Sequence, residues 1–235
     1  MIKAILLDIE GTTTPIDFVH QTLFPFARER IGRFLEENDS ADETAQLEAE
    51  YRKDFTDQLY GRHFNRNEPE SVADYLRFLI EQDRKSTPLK SLQGKIWREG
   101  YRSGELKSVV FEDVLPAFER WTAAGKSIFI YSSGSVLAQK LLFKYTDHGD
   151  LTRFISGYFD TNTGGKREAE SYRRIASVEG FPPVENSLFI SDVPAELDAA
   201  KKAGFSTRLS VREGNPPYDE SRNSHPVIRS FDELE

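Results

Sequence analysis

The stretch MIKAILLDIEGTTT, residues 1–14, decides the fold. Its short apolar run Ala4–Leu7 ends in the acid Asp8, and a continuous apolar run of this length is typical of a central strand that is buried on both faces of a parallel sheet. An isolated buried charge is costly, so a buried strand that ends in an acid must present that acid to solvent, a metal or a partner. The run is too short for the apolar segment of a signal peptide.

Similar apolar runs recur along the rest of the chain, and helical patterns separate them. The further strand candidates are residues 127–131 and 187–190, with weaker ones at 154–159 and 207–211. The helical patterns cover residues 114–121, 136–145, 169–178 and 195–203. Strand and helix alternate with short links, which predicts an α/β fold with a Rossmann-like parallel sheet covered on both faces.

The region between the first and second strands is different, because it has helical stripes and no convincing strand. Phe24, Ala27, Ile31 and Phe34 share one helical face, and Ser71–Asp74 resembles a capping box in front of another apolar face. The segment between the first and second strands is far longer than an ordinary crossover connection. It follows the end of the first strand, and open α/β sheets bind ligands beyond such strand ends. We therefore expect a core domain of residues 1–15 and 107–235 and an inserted helical cap domain of residues 16–106.

Composition excludes several classes of protein. The 235 residues include no cysteine, which removes disulfides, thiolate metal sites and thiol nucleophiles and fits a reducing compartment. The net charge is −8 and no basic block stands out, so we expect no nucleic-acid partner. No stretch approaches the length of a membrane span, so we expect no membrane partner either.

Four groups of polar residues lie at or after predicted strand ends, which converge at one edge of a parallel sheet. They are Asp8 with Glu10, Ser132 with Ser133, Lys166 after two glycines, and Asp192 with Glu196. Taken singly, each group has an ordinary structural interpretation. The first is an acid in a turn, the second a serine at a helix N-cap, the third a solvent-exposed lysine and the fourth an acid at the start of a helix. Their occurrence together in this order favours a functional site.

The four groups together supply what phosphoryl transfer needs. The carboxylate of Asp8 is a competent nucleophile toward phosphorus, and Asp8 and Asp192 offer the pair of carboxylates that commonly binds Mg²⁺. Serine hydroxyls and Lys166 can hold phosphate oxygens and neutralise their charge. Glu196, one helical turn after Asp192, either supports the metal site or is simply an acid at a helix N-terminus.

This set resembles the haloacid-dehalogenase-like superfamily of aspartate-nucleophile phosphatases, and the resemblance covers the whole chain. Asp8 matches the nucleophile, Ser132 the hydroxyl of the second motif, Lys166 the lysine of the third and Asp192 the metal acid of the fourth. One residue departs from the usual pattern. Phosphatases of the superfamily usually carry aspartate two residues after the nucleophile, and here that position is Glu10.

Longer strings are similar to the enolase-phosphatase (acireductone synthase) family of methionine salvage. They are DIEGTTTPI at residues 8–16, IYSSGSV at 130–136, AQKLLF at 138–143, and LQG at 92–94 with Trp97. The resemblance implies an enzyme that enolises 2,3-diketo-5-methylthiopentyl 1-phosphate and then removes its phosphate. The products would be phosphate and the acireductone 1,2-dihydroxy-3-keto-5-methylthiopentene.

The resemblance also implies roles for individual residues. One Mg²⁺ per subunit would be bound by Asp8 and Asp192 with a contribution from Glu10, while Ser132, Ser133 and Lys166 would contact the substrate. Asp8, Glu10 and Lys166 would be the catalytic residues, and an aspartyl phosphate would form on Asp8. The base for enolisation stays open between Glu10 and a residue of the cap. We expect a cytoplasmic monomer acting on a small phosphorylated diketone.

Three alternatives remain to be distinguished from this prediction. The closest is another capped, Mg²⁺-dependent phosphomonoesterase of the same superfamily that acts on a sugar or nucleotide phosphate. A second is a non-catalytic module that binds a phosphorylated ligand. The third, a dehalogenase, is disfavoured because metal-binding acids are not expected there.

Overall fold

The computed structural model describes residues 1–217 and 224–234, which form two compact units. The first comprises Met1–Val19 and Lys107–Glu235, and the second comprises His20–Leu106. The sequence placed the domain boundaries at 15/16 and 106/107, whereas the compact units change at 19/20 and 106/107. None of the helices in the described residues is both long enough and apolar enough to cross a membrane.

The first unit is built on a six-stranded sheet in which every neighbouring pair of strands is parallel. In chain order the strands are β1 (Ala4–Leu7), β2 (Ser127–Tyr131), β3 (Ile155–Phe159), β4 (Ser187–Ser191), β5 (Ser206–Ser210) and β6 (Val227–Ile228). Their order across the sheet is β3-β2-β1-β4-β5-β6. The predicted α/β fold with a parallel sheet is confirmed, and β1 lies in the middle as its unbroken apolar run indicated.

Nine α-helices accompany the strands within the described residues. They are α1 (Ile16–Phe18), α2 (Phe24–Glu37), α3 (Ala41–Thr56), α4 (Pro69–Glu81), α5 (Thr87–Ser103), α6 (Val114–Ala123), α7 (Val136–Lys144), α8 (Ala169–Ala176) and α9 (Pro194–Lys202). Helices α2–α5 belong to the second unit, and α6–α9 connect the strands of the first.

The sheet is covered on both faces, which explains the apolar character of its strands. Leu6 of β1 packs in one cluster with Phe129, Tyr172 and Phe189, whereas Ile5 points to the opposite face and is buried as well. Fully burying a large apolar side chain contributes roughly 1.5–3 kcal/mol, so the central strands anchor the unit. The ends of β1, β2 and β4 are thereby fixed beside one another.

One local prediction in the second unit is wrong. The sequence placed a capping box at Ser71–Asp74, but α4 begins at Pro69 and Ser71 lies inside its first turn. The Ser71 hydroxyl instead accepts a hydrogen bond from the backbone N–H of Asn65 at 2.8 Å. Proline at the start of a helix has a preset φ and no N–H to leave unpaired, so the helix begins before the serine.

The second unit contains a buried acid among its aromatic side chains. Asp54, at the end of α3, is fully buried. Its carboxylate accepts hydrogen bonds from the Tyr75 hydroxyl at 2.7 Å and from the Arg84 guanidinium at 2.8 Å. The acid therefore has one charged partner and one neutral partner. These two contacts join α3 to α4 and to the segment that follows α4.

Candidate active site

Asp8 follows β1 at the carboxyl edge of the sheet, where its side chain is only slightly exposed. Its backbone N–H continues the parallel ladder by donating to the Ile190 carbonyl at 3.0 Å. Oδ1 of the carboxylate accepts from the N–H of Ile9 at 2.7 Å and lies 2.6 Å from Lys166 Nζ. The acid that ends β1 is thus held by a cation, as the cost of burying a lone charge requires.

Lys166 joins Asp8 to Glu196. Its Nζ lies 2.7 Å from Glu196 Oε2, and the lysine side chain is only 9% exposed. Burial alone would lower the pKa of Lys166, but the carboxylates of Asp8 and Glu196 outweigh burial and raise that pKa above its ordinary value. Lys166 is therefore a fixed positive charge in the site.

Three side-chain hydroxyls hold the loop that carries Lys166. Tyr131 donates to the Gly164 carbonyl at 2.8 Å, Ser171 to the Gly165 carbonyl at 2.8 Å, and Tyr172 to the Lys166 carbonyl at 2.7 Å. Gly164 has a φ of +139°, and a Cβ there would collide with the Ser171 hydroxyl. The two glycines before the lysine thus allow the tight approach of this loop to α8.

Glu196 belongs to the same cluster and also lies in the first turn of α9. Besides its contact with Lys166, it accepts a hydrogen bond from the Ser191 hydroxyl at 2.9 Å, and that hydroxyl lies 3.3 Å from Asp8 Oδ2. Burial and the nearby charge of Asp8 raise the pKa of Glu196. No role for Ser191 was predicted from the sequence, although its place one residue before Asp192 was a signal for one.

Asp192 lies against the turn that follows β1. A Cβ built on Gly11, whose φ is +68°, would stand 2.6 Å from Asp192 Oδ2, so only glycine fits there. Burial, together with the negative charges of Asp8 and Glu196, raises the pKa of Asp192 to about 7. The structure therefore brings together Asp8, Lys166, Asp192 and Glu196 from three separate parts of the chain.

The remaining predicted residues lie in neighbouring turns. Glu10 is half-buried, and its backbone pairs with that of Thr14 in the turn after Asp8. Ser132 is buried and Ser133 is half-buried at the end of β2, the strand beside β1. The N-cap of α7 is Ser135, which accepts from the N–H of Ala138 at 3.3 Å. Ser132 and Ser133 are therefore not needed as the N-cap of this helix.

The donor atoms at this site suit a hard divalent cation. Within residues 1–217 and 224–234, no three acidic or histidine side chains form a cage that could hold a metal ion. Mg²⁺ rarely uses such a cage, since it usually takes one or two carboxylates and completes its shell with water and phosphate oxygens. Asp8, Asp192 and Glu196 together carry more negative charge than Lys166 offsets, and burial strengthens the attraction of that excess charge for a cation. The residues present fit Mg²⁺.

Comparison with known proteins places this geometry in a family. A family model described as haloacid dehalogenase-like hydrolase matches residues 2–204. The chain is 52% identical to an "Enolase-phosphatase E1" of Synechococcus elongatus, covering 99% of this chain and 98% of the relative. It is 47% identical to an "Enolase-phosphatase E1" of Leptospira borgpetersenii, covering 97% of this chain and 96% of the relative.

A solved structure agrees with this placement. The crystal structure of the UTR4 protein from Saccharomyces cerevisiae covers 100% of both chains with a TM-score of 0.80 and 35% sequence identity. The strand-end site, the matching family model and the full-length relatives lead to one conclusion. The chain belongs to the haloacid dehalogenase-like hydrolase family and, within it, to the enolase-phosphatase E1 group.

Proposed function

We propose that this chain is an enolase-phosphatase of methionine salvage. It converts 2,3-diketo-5-methylthiopentyl 1-phosphate to the acireductone 1,2-dihydroxy-3-keto-5-methylthiopentene and phosphate. The observation that carries the proposal is the buried Asp8–Lys166–Glu196 cluster beside Asp192, in a chain whose full-length relatives are named for this activity. The helical unit acts as the cap domain of the enzyme, residues 16–106 in the boundaries drawn from the sequence.

Asp8 is the nucleophile of phosphate removal. A carboxylate oxygen of Asp8 attacks phosphorus and forms an aspartyl phosphate, while the bond from phosphorus to the leaving oxygen breaks. Water then attacks the same phosphorus, releases phosphate and regenerates the Asp8 carboxylate. The hydrogen bond from the N–H of Ile9 at 2.7 Å and the ammonium group of Lys166 fix the orientation of this carboxylate before the reaction.

Lys166 supplies a fixed positive charge to the phosphoryl group. Its contacts with Asp8 and Glu196 keep the ammonium at the reacting carboxylate, and Glu196 balances part of its charge. Preorganised charge of this kind stabilises the negative oxygens of the transition state without reorganisation during the reaction. The hydroxyls of Ser132 and Ser133, at the end of the adjacent strand, bind the phosphate oxygens.

Asp8 and Asp192, with a contribution from Glu10, would hold one Mg²⁺ per subunit. When bound, the ion neutralises charge on the phosphoryl oxygens and polarises a substrate carbonyl.

Enolisation also requires removal of a proton next to that carbonyl, and the candidates for the base are Glu10 and residues of the helical unit. Glu10→Gln tests the first, because loss of the enol signal with retained Mg²⁺ binding assigns the base to Glu10.

A two-signal assay tests the proposed reaction. Purified protein with Mg²⁺ and the phosphorylated diketone should release phosphate and produce the ultraviolet absorbance of the acireductone together. Phosphate without the enol product would instead favour a capped phosphomonoesterase acting on a sugar or nucleotide phosphate. Binding without turnover of any phosphate ester would point to a non-catalytic module.

We also propose that the enzyme works as a monomer in the cytoplasm. The absence of cysteine supports the cytoplasmic part, and the family resemblance supports the monomer. Light scattering of the purified chain and fractionation of cells that produce it test the two parts separately. A dimer mass, or recovery outside the cytoplasmic fraction, would contradict the corresponding part.

A further inference from the structure

The segment that follows β5 is hydrogen-bonded to the turn that follows β1. The Ser210 hydroxyl donates to the Gly11 carbonyl at 3.1 Å, and Asn215 Nδ2 donates to the same carbonyl at 2.9 Å. The Arg212 guanidinium donates to the Thr12 carbonyl at 3.2 Å. Residues far from Asp8 in sequence therefore fix the backbone of the turn that leads away from it.

The two ends of the Asn215 amide have different surroundings. Nδ2 lies near two carbonyl oxygens, those of Gly11 and Ser210, the second at 3.4 Å. Only the nitrogen end can donate to carbonyls, so these contacts determine which way the amide is turned. Oδ1 is consequently directed elsewhere, and it is buried without a hydrogen-bond partner among the described residues. A buried acceptor left unpaired costs roughly 1–3 kcal/mol, so a donor is expected at this position.

The unpaired oxygen lies beside Asp192. A Cβ built on Gly11 would stand 2.9 Å from Asn215 Oδ1 and 2.6 Å from Asp192 Oδ2, so both oxygens lie against the same side of Gly11. An amide oxygen and a carboxylate oxygen are both acceptors, so neither satisfies the other while Asp192 is ionised. A hydrated cation satisfies both groups, because its positive charge attracts the Asp192 carboxylate and its water molecules can donate to the amide oxygen of Asn215.

We propose that Asn215 is a positioning residue for the magnesium site, in which its Oδ1 accepts a hydrogen bond from the hydration shell of the ion held by Asp192. This inference rests on the proposed Mg²⁺ site. Mg²⁺ keeps several of its waters when bound to proteins, so acceptors behind the direct ligands contribute to its affinity. Groups of this kind commonly change metal affinity about 10–100-fold.

Calorimetric titration of the metal-free chain with Mg²⁺ alone tests the inference. Asn215→Leu removes the acceptor and should weaken Mg²⁺ binding by about tenfold or more. Asn215→Asp keeps an acceptor oxygen but loses the donor to the Gly11 carbonyl, so it should bind Mg²⁺ better than Asn215→Leu without reaching the affinity of the parent chain. Ser210→Ala is the matched control, because it removes a donor to the same Gly11 carbonyl but leaves Asn215 Oδ1 in place, and it should bind Mg²⁺ nearly as well as the parent chain.

Equal Mg²⁺ affinity of Asn215→Leu and the parent overturns the proposal, and so does an equal loss in Asn215→Leu and Ser210→Ala. Thermal unfolding of each metal-free variant shows whether it folds, and Asn215→Ala replaces the leucine variant should that one not fold. Asp192→Asn separates this inference from the proposed function. If Asp192→Asn still binds Mg²⁺ as the parent does, the metal site itself is wrong; if it does not, failure of the Asn215 variants concerns Asn215 alone.

Discussion

Each of the two units of this chain buries an acid beside a cation, but the two clusters differ in their balance of charge. In the helical unit, Asp54 has one guanidinium partner, Arg84, and a hydrogen bond from Tyr75. In the α/β unit, Asp8 and Glu196 share the single ammonium of Lys166, and Asp192 lies close enough for their charges to raise its pKa.

The difference distinguishes an acid that stabilises packing from acids that can attract a cation. A balanced and fully hydrogen-bonded pair has no residual attraction for a ligand, so its effect is to fix the packing around it. A buried cluster with excess negative charge is unfavourable by itself and is stabilised when a cation binds. Charge balance therefore supports the proposal that the α/β cluster is the metal and substrate site.

The largest expected effect is that of Asp8→Asn. This change removes the nucleophile and should reduce phosphate release by at least about 10³-fold, while it leaves the fold intact because the amide is nearly isosteric. Phosphate release and the circular-dichroism melting curve measure the two parts. Full activity in Asp8→Asn would remove the covalent mechanism.

Lys166→Gln should reduce phosphate release by about 10²-fold or more, because it removes the fixed positive charge at the phosphoryl group. It also leaves two buried carboxylates without their cation, at a cost of roughly 3–5 kcal/mol in the free energy of unfolding near neutral pH.

Arg84→Gln is the matched change in the helical unit. Since Arg84 is 37% exposed, its loss should cost less stability and leave activity nearly unchanged; an equal loss of activity in both variants would contradict the comparison.

Asp54→Asn should affect stability and not chemistry. The amide keeps an acceptor for one partner but loses the charge that binds Arg84, which should lower the free energy of unfolding by about 1–3 kcal/mol. Denaturant unfolding measures the loss, and turnover well below the melting temperature should match that of the parent. Lost turnover in a folded Asp54→Asn would assign this acid to the reaction.

The smallest of the expected effects is a pH dependence set by Asp192. The pKa of Asp192 is about 7 in the folded, metal-free chain, so folded protein holds the proton more tightly than unfolded protein does. The raised pKa of Asp192 therefore contributes to the free energy of unfolding at low pH, where the side chain is protonated. This contribution is lost as pH rises toward 7, because the folded chain must then bury the ionised carboxylate. Mg²⁺ needs the ionised form, so its affinity should fall about tenfold for each pH unit below 7.

Calorimetry of Mg²⁺ binding over this pH range measures the effect. Glu196→Gln is its control, because removal of one neighbouring negative charge should lower the pKa of Asp192 and shift the pH dependence downward. A Mg²⁺ affinity that does not change below neutral pH would show that Asp192 does not bind the ion.

The sequence predicted the sheet well because the strands are buried on both faces. The unbroken apolar run of β1 identified a central strand, and the acid after it pointed to the site. The strand β6 was not predicted, since Val227–Ile228 is too short to show a periodicity. The capping box at Ser71 was wrong because Pro69 already begins that helix.

The site was predictable only in part. Asp8, Lys166 and Asp192 follow strands, so the topology of a parallel sheet brings their segments to one edge. Glu196 kept two interpretations, because its spacing from Asp192 fits both a group that supports the metal site and an acid at a helix N-terminus, and its contact with Lys166 was not predicted. Asn215 gave no sequence signal, since its contact with Gly11 depends on the course of the loop after β5.

A crystal structure with Mg²⁺ and a phosphate mimic tests the central claim most directly. We predict one ion between the carboxylates of Asp8 and Asp192, with the mimic in contact with Asp8 and Lys166 and no ion at Asp54. An ion bound away from Asp192, or a mimic that contacts neither Asp8 nor Lys166, would contradict the assignment of the active site.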